Sequence, residues 1–180
     1  MRHLTFGVVL SVIASVVTAC STGPESLLED GTTAMKSLMT ESTLNVPVVR
    51  KGMASLETFL EQSPYHAHAD SALFMLATLQ EVSGRHRDAA QNYLRILRSY
   101  PESEFRARGL ILAGHIYENL GDVNRSKAAY ERLIEEFPEH EFVTGGSAQW
   151  LLNNLGRPSE EWPVPFEEPD GEAPSHADAH

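Results

Sequence analysis

Two histidines and an aspartate in the first half of the chain, His66, His68 and Asp70, are of residue types that bind metal ions. A helical zinc site uses two histidines four residues apart, because positions i and i+4 lie on one face of a helix. Residues two apart point in different directions on a helix, and no CxxC or HExxH motif accompanies this stretch. We therefore interpret it as a solvated turn between structural repeats, and we expect neither a bound metal nor another cofactor.

Motifs for hydrolysis or phosphate binding are also missing, since neither GxSxG nor GxxxxGK[ST] occurs in the sequence. The paired carboxylates Glu135-Glu136 and Glu160-Glu161 are adjacent in the chain, on a predicted outer helix face and in the C-terminal tail. Acid–base catalysis needs a carboxyl group whose pKa is raised by an apolar pocket, and nothing in these stretches supplies one. We expect that the protein is not an enzyme.

The only cysteine, Cys20, follows a sequence typical of an export signal. Arg2 precedes an apolar run from Leu4 to Val17, and this run is shorter than the roughly 20 residues that a membrane-spanning helix needs. A chain with one cysteine cannot form an internal disulfide, and a free thiol is reactive in an oxidising compartment. One interpretation is an ordinary signal peptide with a chance cysteine beside its cleavage site.

The alternative interpretation is lipidation, because Val17 to Cys20, VTAC, resembles the bacterial lipobox. The resemblance implies removal of residues 1–19 as a lipoprotein signal peptide, acyl chains such as palmitate on Cys20, and a short tether over residues 20–25. In such lipoproteins a serine after the cysteine, here Ser21, usually permits transport to the outer membrane. We therefore expect an exported protein anchored in the cell envelope, in the outer membrane and facing the periplasm.

The chain is acidic, with 25 Asp and Glu residues, 14 Lys and Arg residues and a net charge of −11. It does not offer the basic surface that nucleic acids require, so nucleic acid is not an expected partner. Seven of the acidic residues lie in residues 158–180, which contain five prolines and no Lys or Arg. We predict that residues 157–180 form an acidic, Pro-rich disordered tail.

Three prolines, Pro64, Pro101 and Pro138, are spaced 37 residues apart, and the last two begin the nearly identical words PESEF and PEHEF. A fixed period of 20 to 50 residues is typical of solenoid proteins. Apolar residues recur at helical intervals within each period, which predicts two helices joined at a glycine. The pairs that share the 37-residue spacing include Gly84 and Gly121, Tyr93 and Tyr130, Leu73 and Leu110, and Ala77 and Gly114.

Each repeated position has a physical role. Gly84 and Gly121 allow the left-handed conformation that ends a helix, and Asp122 is placed to cap the next helix. Tyr93 and Tyr130 are expected to fill the space between successive hairpins. Each proline ends a second helix, because the residue before a proline is pushed away from the α region. Close approach of the paired helices is expected at the small residues Ala77, Ala89, Gly114 and Ser126.

The two words are then junctions between hairpins, in which Phe105 and Phe142 staple the incoming chain against the preceding unit. In this interpretation PESEF and PEHEF separate structural units and have no function of their own.

The pattern resembles the tetratricopeptide repeat. Residues 110–138, LILAGHIYENLGDVNRSKAAYERLIEEFP, match that motif at Leu110, Ala113, Gly114, Tyr117, Gly121, Asp122, Ser126, Tyr130, Leu133 and Pro138. Residues 73–101 match less completely, with Gln80 in place of the tyrosine and Arg85 in place of the aspartate. The usual period is 34 residues, and the longer period seen here is similar to that of envelope lipoproteins related to the β-barrel-assembly lipoprotein and to a cell-division coordinator. The resemblance implies an all-α fold, a short α-solenoid of antiparallel helix hairpins.

The solenoid is predicted to span residues 26–156. Full repeats cover about 70–101 and 107–138, and half repeats cover about 46–64 and 143–155. Asn45 and Pro47 make a plausible helix start, and Ser26 to Thr40 forms a further amphipathic helix. A last helix is predicted from Thr144 to Leu155.

Tetratricopeptide solenoids bind peptides along a groove lined by their first helices, and the resemblance places a partner groove here. By register it would present Ser71, Phe74, Met75, Thr78, Arg108, Ile111, His115 and Glu118. Phe74 and Ile111 are equivalent, and with Arg108 they could hold a hydrophobic peptide with an acidic group. The alternative is that Phe74, Met75 and Ile111 are buried by neighbouring helices.

Two other basic stretches are interpreted separately. Arg95, Arg98 and Arg106 are expected to form a basic stripe on the other helices, able to bind the acidic tail or a partner. Arg85, His86 and Arg87 are interpreted as a solvated helix start, with a site for an acidic partner as the alternative.

The sequence thus predicts a lipid-anchored periplasmic adaptor that binds other envelope proteins, in outer-membrane or cell-envelope assembly. One alternative is a structural subunit that associates with itself as a homo-oligomer. An alternative of a different class is an envelope metal-binding accessory or enzyme that uses His66, His68 and Asp70.

Overall fold

A computed structural model describes residues 23–158 and Glu161, and these residues form eight helices and no strand. In chain order the helices are α1 (Pro24–Thr40), α2 (Val46–Gln62), α3 (Ala69–Val82), α4 (His86–Ser99), α5 (Arg106–Asn119), α6 (Val123–Glu136), α7 (Glu141–Thr144) and α8 (Ser147–Asn154). None of the helices within the described residues is long and apolar enough to cross a membrane. The lipobox and nearly all of the acidic tail lie outside the described residues.

The chain divides between Ala72 and Leu73 into two compact units. The first unit contains the antiparallel pair α1 and α2. Asn45 caps the N-terminus of α2, as the sequence predicts, because its side-chain oxygen accepts a hydrogen bond from the amide of Val48 at 3.4 Å. Gly31 allows the two helices to approach closely, since a Cβ at that position would lie 2.5 Å from Cδ2 of the fully buried Leu56.

A polar contact also joins α1 to α2. Asp30 accepts hydrogen bonds from Lys51 Nζ at 2.7 Å and from Ser55 Oγ at 2.8 Å. The bond from Lys51 and then the bond from Ser55 hold the pKa of the Asp30 carboxyl group below its ordinary value. Both bonds favour the ionised carboxylate, so this contact stabilises the hairpin only while Asp30 is charged.

We expect Asp30→Ala to lower the free energy of unfolding by about 1–2 kcal/mol at neutral pH, because it removes two hydrogen bonds to a charged group. The folded-state pKa is depressed, so the difference from the wild-type chain should be fully present above about pH 4 and should shrink as the pH falls further. Urea unfolding at several pH values measures both effects. Glu29→Ala, a neighbouring exposed acidic residue, is the matched control, and an equal loss of stability in both variants would contradict the assignment.

The second unit contains the repeats. Gly84 and Gly121 have φ angles of 79° and 71°, which confirms the left-handed turns predicted at these glycines. Asp122 caps α6 by accepting the Arg125 amide at 3.1 Å, as expected. Arg85 cannot cap α4 in this way, and its guanidinium pairs instead with Asp88 at 3.0 Å.

Three helices end two residues before a proline, as predicted. They are α2, α4 and α6, which end at Gln62, Ser99 and Glu136. Tyr93 and Tyr130 are fully buried, but their hydroxyl groups bond to the first helix of their own hairpin and not, as predicted, across to the next hairpin. Gly114 is required by this packing, because a Cβ there would lie 2.5 Å from Cε1 of Tyr130. The core between α4, α5, α6 and α8 is formed by Leu97, Ala107, Leu110, Ala129, Leu133 and Ala148.

The helix expected from Thr144 to Leu155 differs in the structure. The predicted helix is present as α8 but begins only at Ser147, because Gly145 and Gly146 separate it from the short α7 and Gly146 has a φ angle of 79°. The short α7 leaves Phe142 and Val143 packed against the core of the second unit.

Candidate functional site

The two repeated words line one open cleft in the second unit. The cleft has a volume of about 640 Å³, which is within the usual range for binding pockets. One wall comes from Glu104 and Phe105 of PESEF, and the other comes from His140, Glu141 and Phe142 of PEHEF. Between these walls α5 contributes Arg108, Ile111 and Leu112. The interpretation of the words as junctions only is therefore incomplete, because their last residues form a surface.

The third residue of each word fixes the local turn. Ser103 Oγ accepts a hydrogen bond from the amide of Phe105 at 3.2 Å, and His140 Nδ1 accepts one from the amide of Phe142 at 3.2 Å. A side chain that binds the amide two residues later holds a turn in place of regular backbone pairing. Both phenylalanines are half-buried beside the cleft for this reason.

The same turn occurs once more, in the first unit. His66, which lies 37 residues before Ser103, accepts the amide of His68 through Nδ1 at 3.2 Å. His66 Nε2 lies 3.8 Å from Glu25, and its ring packs edge-on against Phe59 at 5.2 Å between centroids. His66 therefore has a structural role in a turn after Pro64. Within residues 23–158 and 161, no group of three metal-binding side chains is close enough to hold an ion.

The cleft combines apolar and charged side chains. Phe105 stacks on Phe74 with ring centroids 4.7 Å apart, and the guanidinium carbon of Arg108 lies 5.5 Å from the Phe74 ring. Arg108 is exposed, so its charge can meet a ligand while its cation–π contact fixes its position. Glu104 and Glu141 place negative charge on the two walls. The arrangement can bind apolar side chains and pair with both signs of charge.

Behind the cleft, each repeat has a buried tyrosine that bonds to its first helix. The Tyr93 hydroxyl lies 3.0 Å from Thr78 Oγ1 and donates to Glu81 at 3.1 Å. The Tyr130 hydroxyl lies 3.0 Å from His115 Nδ1 and donates to Glu118 at 3.3 Å. These two sets are equivalent in the 37-residue register.

Burial raises the pKa of Tyr93 and of Tyr130 far above the ordinary value. The negative charge of Glu118 raises the pKa of Tyr130 further, as Glu81 does for Tyr93. Both phenols therefore stay neutral donors at physiological pH. The His115 ring also meets the Phe142 ring edge-on, with centroids 6.0 Å apart, so the second tyrosine set supports one wall of the cleft.

The structure brings only Arg108 and Ile111 of the predicted groove residues into the cleft. Phe74 supports it from behind through Phe105 and Arg108. Thr78, His115 and Glu118 bond to the tyrosines. Ile111 is half-buried and packs against the core as well, and Met75 is half-buried. Ser71 lies in the first turn of α3 within the first unit, where its Oγ donates to the carbonyl oxygen of His68 at 3.0 Å.

The sequence-based groove omitted the loop residues, although the repeated words marked them. It also omitted Glu81, which the register places 37 residues before Glu118. Arg106 does not belong to the basic stripe expected with Arg95 and Arg98. It begins α5, where Nη2 pairs with Glu136 at 3.0 Å and the guanidinium carbon lies 5.0 Å from the Phe137 ring.

Helix hairpins that repeat every 37 residues, with a left-handed glycine in each turn, define the second unit as a short all-helical solenoid. Two models of the tetratricopeptide repeat match the chain, over residues 71–103 and 107–140. Residues 71–103 and 107–140 are therefore tetratricopeptide repeats, and such repeats are typically scaffolds for protein binding. No curated protein and no solved structure matches the chain.

Proposed function

We propose that this protein is an exported, lipid-anchored adaptor that holds a segment of another envelope protein in the cleft between its two repeated words. The observation that carries the proposal is the cleft itself, with two aromatic walls, an apolar floor and one exposed arginine. Tetratricopeptide repeats support a partner that is a protein. The partner's contact would combine apolar side chains with an acidic group that meets Arg108.

The sequence of the leader supports the envelope part of this proposal. The apolar run before Cys20 and the likeness of VTAC to the lipobox favour a diacylglycerol anchor on that cysteine. Ser21 favours the outer membrane, and the periplasmic face is the compartment where an exported chain would act. Only residues 21–23 separate Cys20 from the first residue of α1, so partners that are membrane proteins are favoured. A role in outer-membrane or cell-envelope assembly follows from this placement.

Crosslinking in cells tests the adaptor role. We expect Arg108→Glu combined with Leu112→Ser to reduce the yield of a specific crosslinked partner about tenfold or more. The first change reverses the charge of the arginine, and the second removes an apolar side chain from the floor of the cleft. The matched control combines Arg98→Glu with Val82→Ser, which makes the same chemical changes at exposed positions outside the cleft. Circular dichroism checks that both variants are folded.

An unchanged set of partners at an unchanged yield would show that the cleft is not the binding surface. If the main crosslinked species is a second copy of the chain and the cleft variant loses it, the self-associating subunit replaces the adaptor.

A further inference from the structure

A second groove lies between α4 and α6, and it shares no residue with the cleft described above. It consists of two depressions, of about 340 and 240 Å³, which adjoin at Tyr117 and Arg125, the two residues that line both. The floor of the smaller depression is apolar, with Leu94, Leu110 and Tyr117, and the larger depression is lined mainly by polar residues. Leu120 and Val123, which line one end, are both more than a third exposed.

The rim of this groove is basic. Arg87 lines one depression, Arg132 lines the other, and Arg125 lines both. The guanidinium carbon of Arg125 lies 5.6 Å from the Tyr117 ring, and its Nη1 pairs with Asp122 at 2.8 Å. Arg132 pairs with Glu136. Exposed pairs of this kind contribute little free energy, so these arginines can meet another carboxylate at small cost.

The end of α8 brings the chain to this groove. A Cβ on Gly156 would lie 3.5 Å from Cγ2 of Val123, so the backbone leaves α8 beside the exposed end of the groove. Six residues later the sequence reads WPVPFEE, residues 162–168, which joins two aromatic residues and a valine to two carboxylates. Prolines on either side of Val164 favour an extended backbone, the form that aromatic-lined grooves bind.

The length of the chain after Gly156 also agrees with the length of the groove. The amide of Glu161 donates to the carbonyl oxygen of Pro158 at 2.9 Å, so Trp162 starts closer to Gly156 than the roughly 20 Å that six extended residues would span. The rise along α6 from Val123 to Arg132 is about 14 Å, and residues 162–168 are long enough to cover it, because an extended chain spans about 3.3 Å per residue. Residues 158–180 carry seven acidic residues and no Lys or Arg, which is complementary to the three arginines on the rim.

We propose that residues 162–168 bind the α4–α6 groove of the same chain, with Trp162, Val164 and Phe166 on the apolar floor and Glu167 and Glu168 against the rim arginines. The acidic segment then covers a surface that would otherwise expose Leu120 and Val123. This inference is independent of the lipid anchor and of the partner cleft.

Disulfide formation in the purified chain tests the proposal. In a Cys20→Ser background, Ala128→Cys with Phe166→Cys should form a disulfide within one molecule at least about tenfold faster than Lys127→Cys with Phe166→Cys. Ala128 lines the groove, whereas Lys127 is its neighbour on α6 outside the lining. Adding Arg125→Glu should slow the first reaction severalfold, while adding Glu131→Lys, another reversed charge on α6 outside the groove, should not.

Equal disulfide rates for the two cysteine pairs would overturn the proposal, because the segment would then have no preference for the groove. A disulfide found only between two molecules would also overturn it, since the occupant would be the segment of a second copy.

Discussion

Replacing Gly114 by valine is expected to lower the free energy of unfolding by about 3 kcal/mol. A Cβ at this position would lie 2.5 Å from Cε1, 2.8 Å from Cζ and 2.9 Å from Cδ1 of Tyr130. The ring cannot move away easily, because Tyr130 is fully buried and its hydroxyl bonds to His115 and Glu118. The better helix propensity of valine offsets only a few tenths of a kcal/mol of this cost.

Urea unfolding of the purified chain measures the effect, and a second substitution shows its cause. In a Tyr130→Leu background the ring is gone, so the additional cost of Gly114→Val should fall well below its value in the wild-type chain. Ala54→Val, on an exposed position of α2, is the matched control for adding a branched side chain to a helix. A Gly114→Val protein as stable as the wild type would mean that the contact with Tyr130 does not determine the packing of α5 on α6.

Helix boundaries in this chain were predictable because short-range chemistry determines them. A proline two residues after a helix end, a glycine in each turn and a capping Asn45 or Asp122 act within one turn of the residues they affect. The break between α7 and α8 has the same kind of signal, since two adjacent glycines interrupt a helical pattern. It was missed because the apolar register was extended across Gly145 and Gly146.

The cleft was harder to predict because its walls lie in the turns before α5 and α7 and in the first residues of the short α7. Counting positions on the first helices identified Arg108 and Ile111, but helical periodicity carries no information about Phe105 and Phe142, which turns hold in place. The register also assigned Thr78, His115 and Glu118 to a free surface, whereas tyrosine hydroxyls from the second helices bond to them. These bonds depend on which side chains meet across a hairpin, and one helix considered alone does not contain that information.

The repeated turn also explains why histidines occur at positions 66 and 140. Two residues after each of the three prolines is a side chain that accepts a hydrogen bond from a backbone amide, and these acceptors are His66, Ser103 and His140. Histidine and serine are alike in supplying such an acceptor, so the position tolerates both. The first histidine of the His-x-His pair, His66, therefore holds one of three copies of the same turn.

The largest effect that we expect in cells is from Cys20→Ala, which should abolish incorporation of labelled palmitate into the protein. Cys20 is the only cysteine, so no other thiol can accept the diacylglycerol. If cleavage requires the modified cysteine, as the likeness to the lipobox implies, the variant should also keep residues 1–19 and have the mass of the precursor. Ser21→Ala is the control, and it should be labelled and cleaved normally.

The same variant separates anchoring by lipid from association by the body of the protein. Two or more acyl chains give stable membrane binding, at about 0.8 kcal/mol for each buried CH₂ group, whereas one chain binds only marginally. When Cys20→Ala is exported with a leader that an ordinary signal peptidase removes, the acidic mature chain should move from the membrane fraction to the soluble periplasmic fraction. A cleaved, unlabelled protein that stays with the membrane would contradict the lipid anchor, because a protein contact would then hold it there.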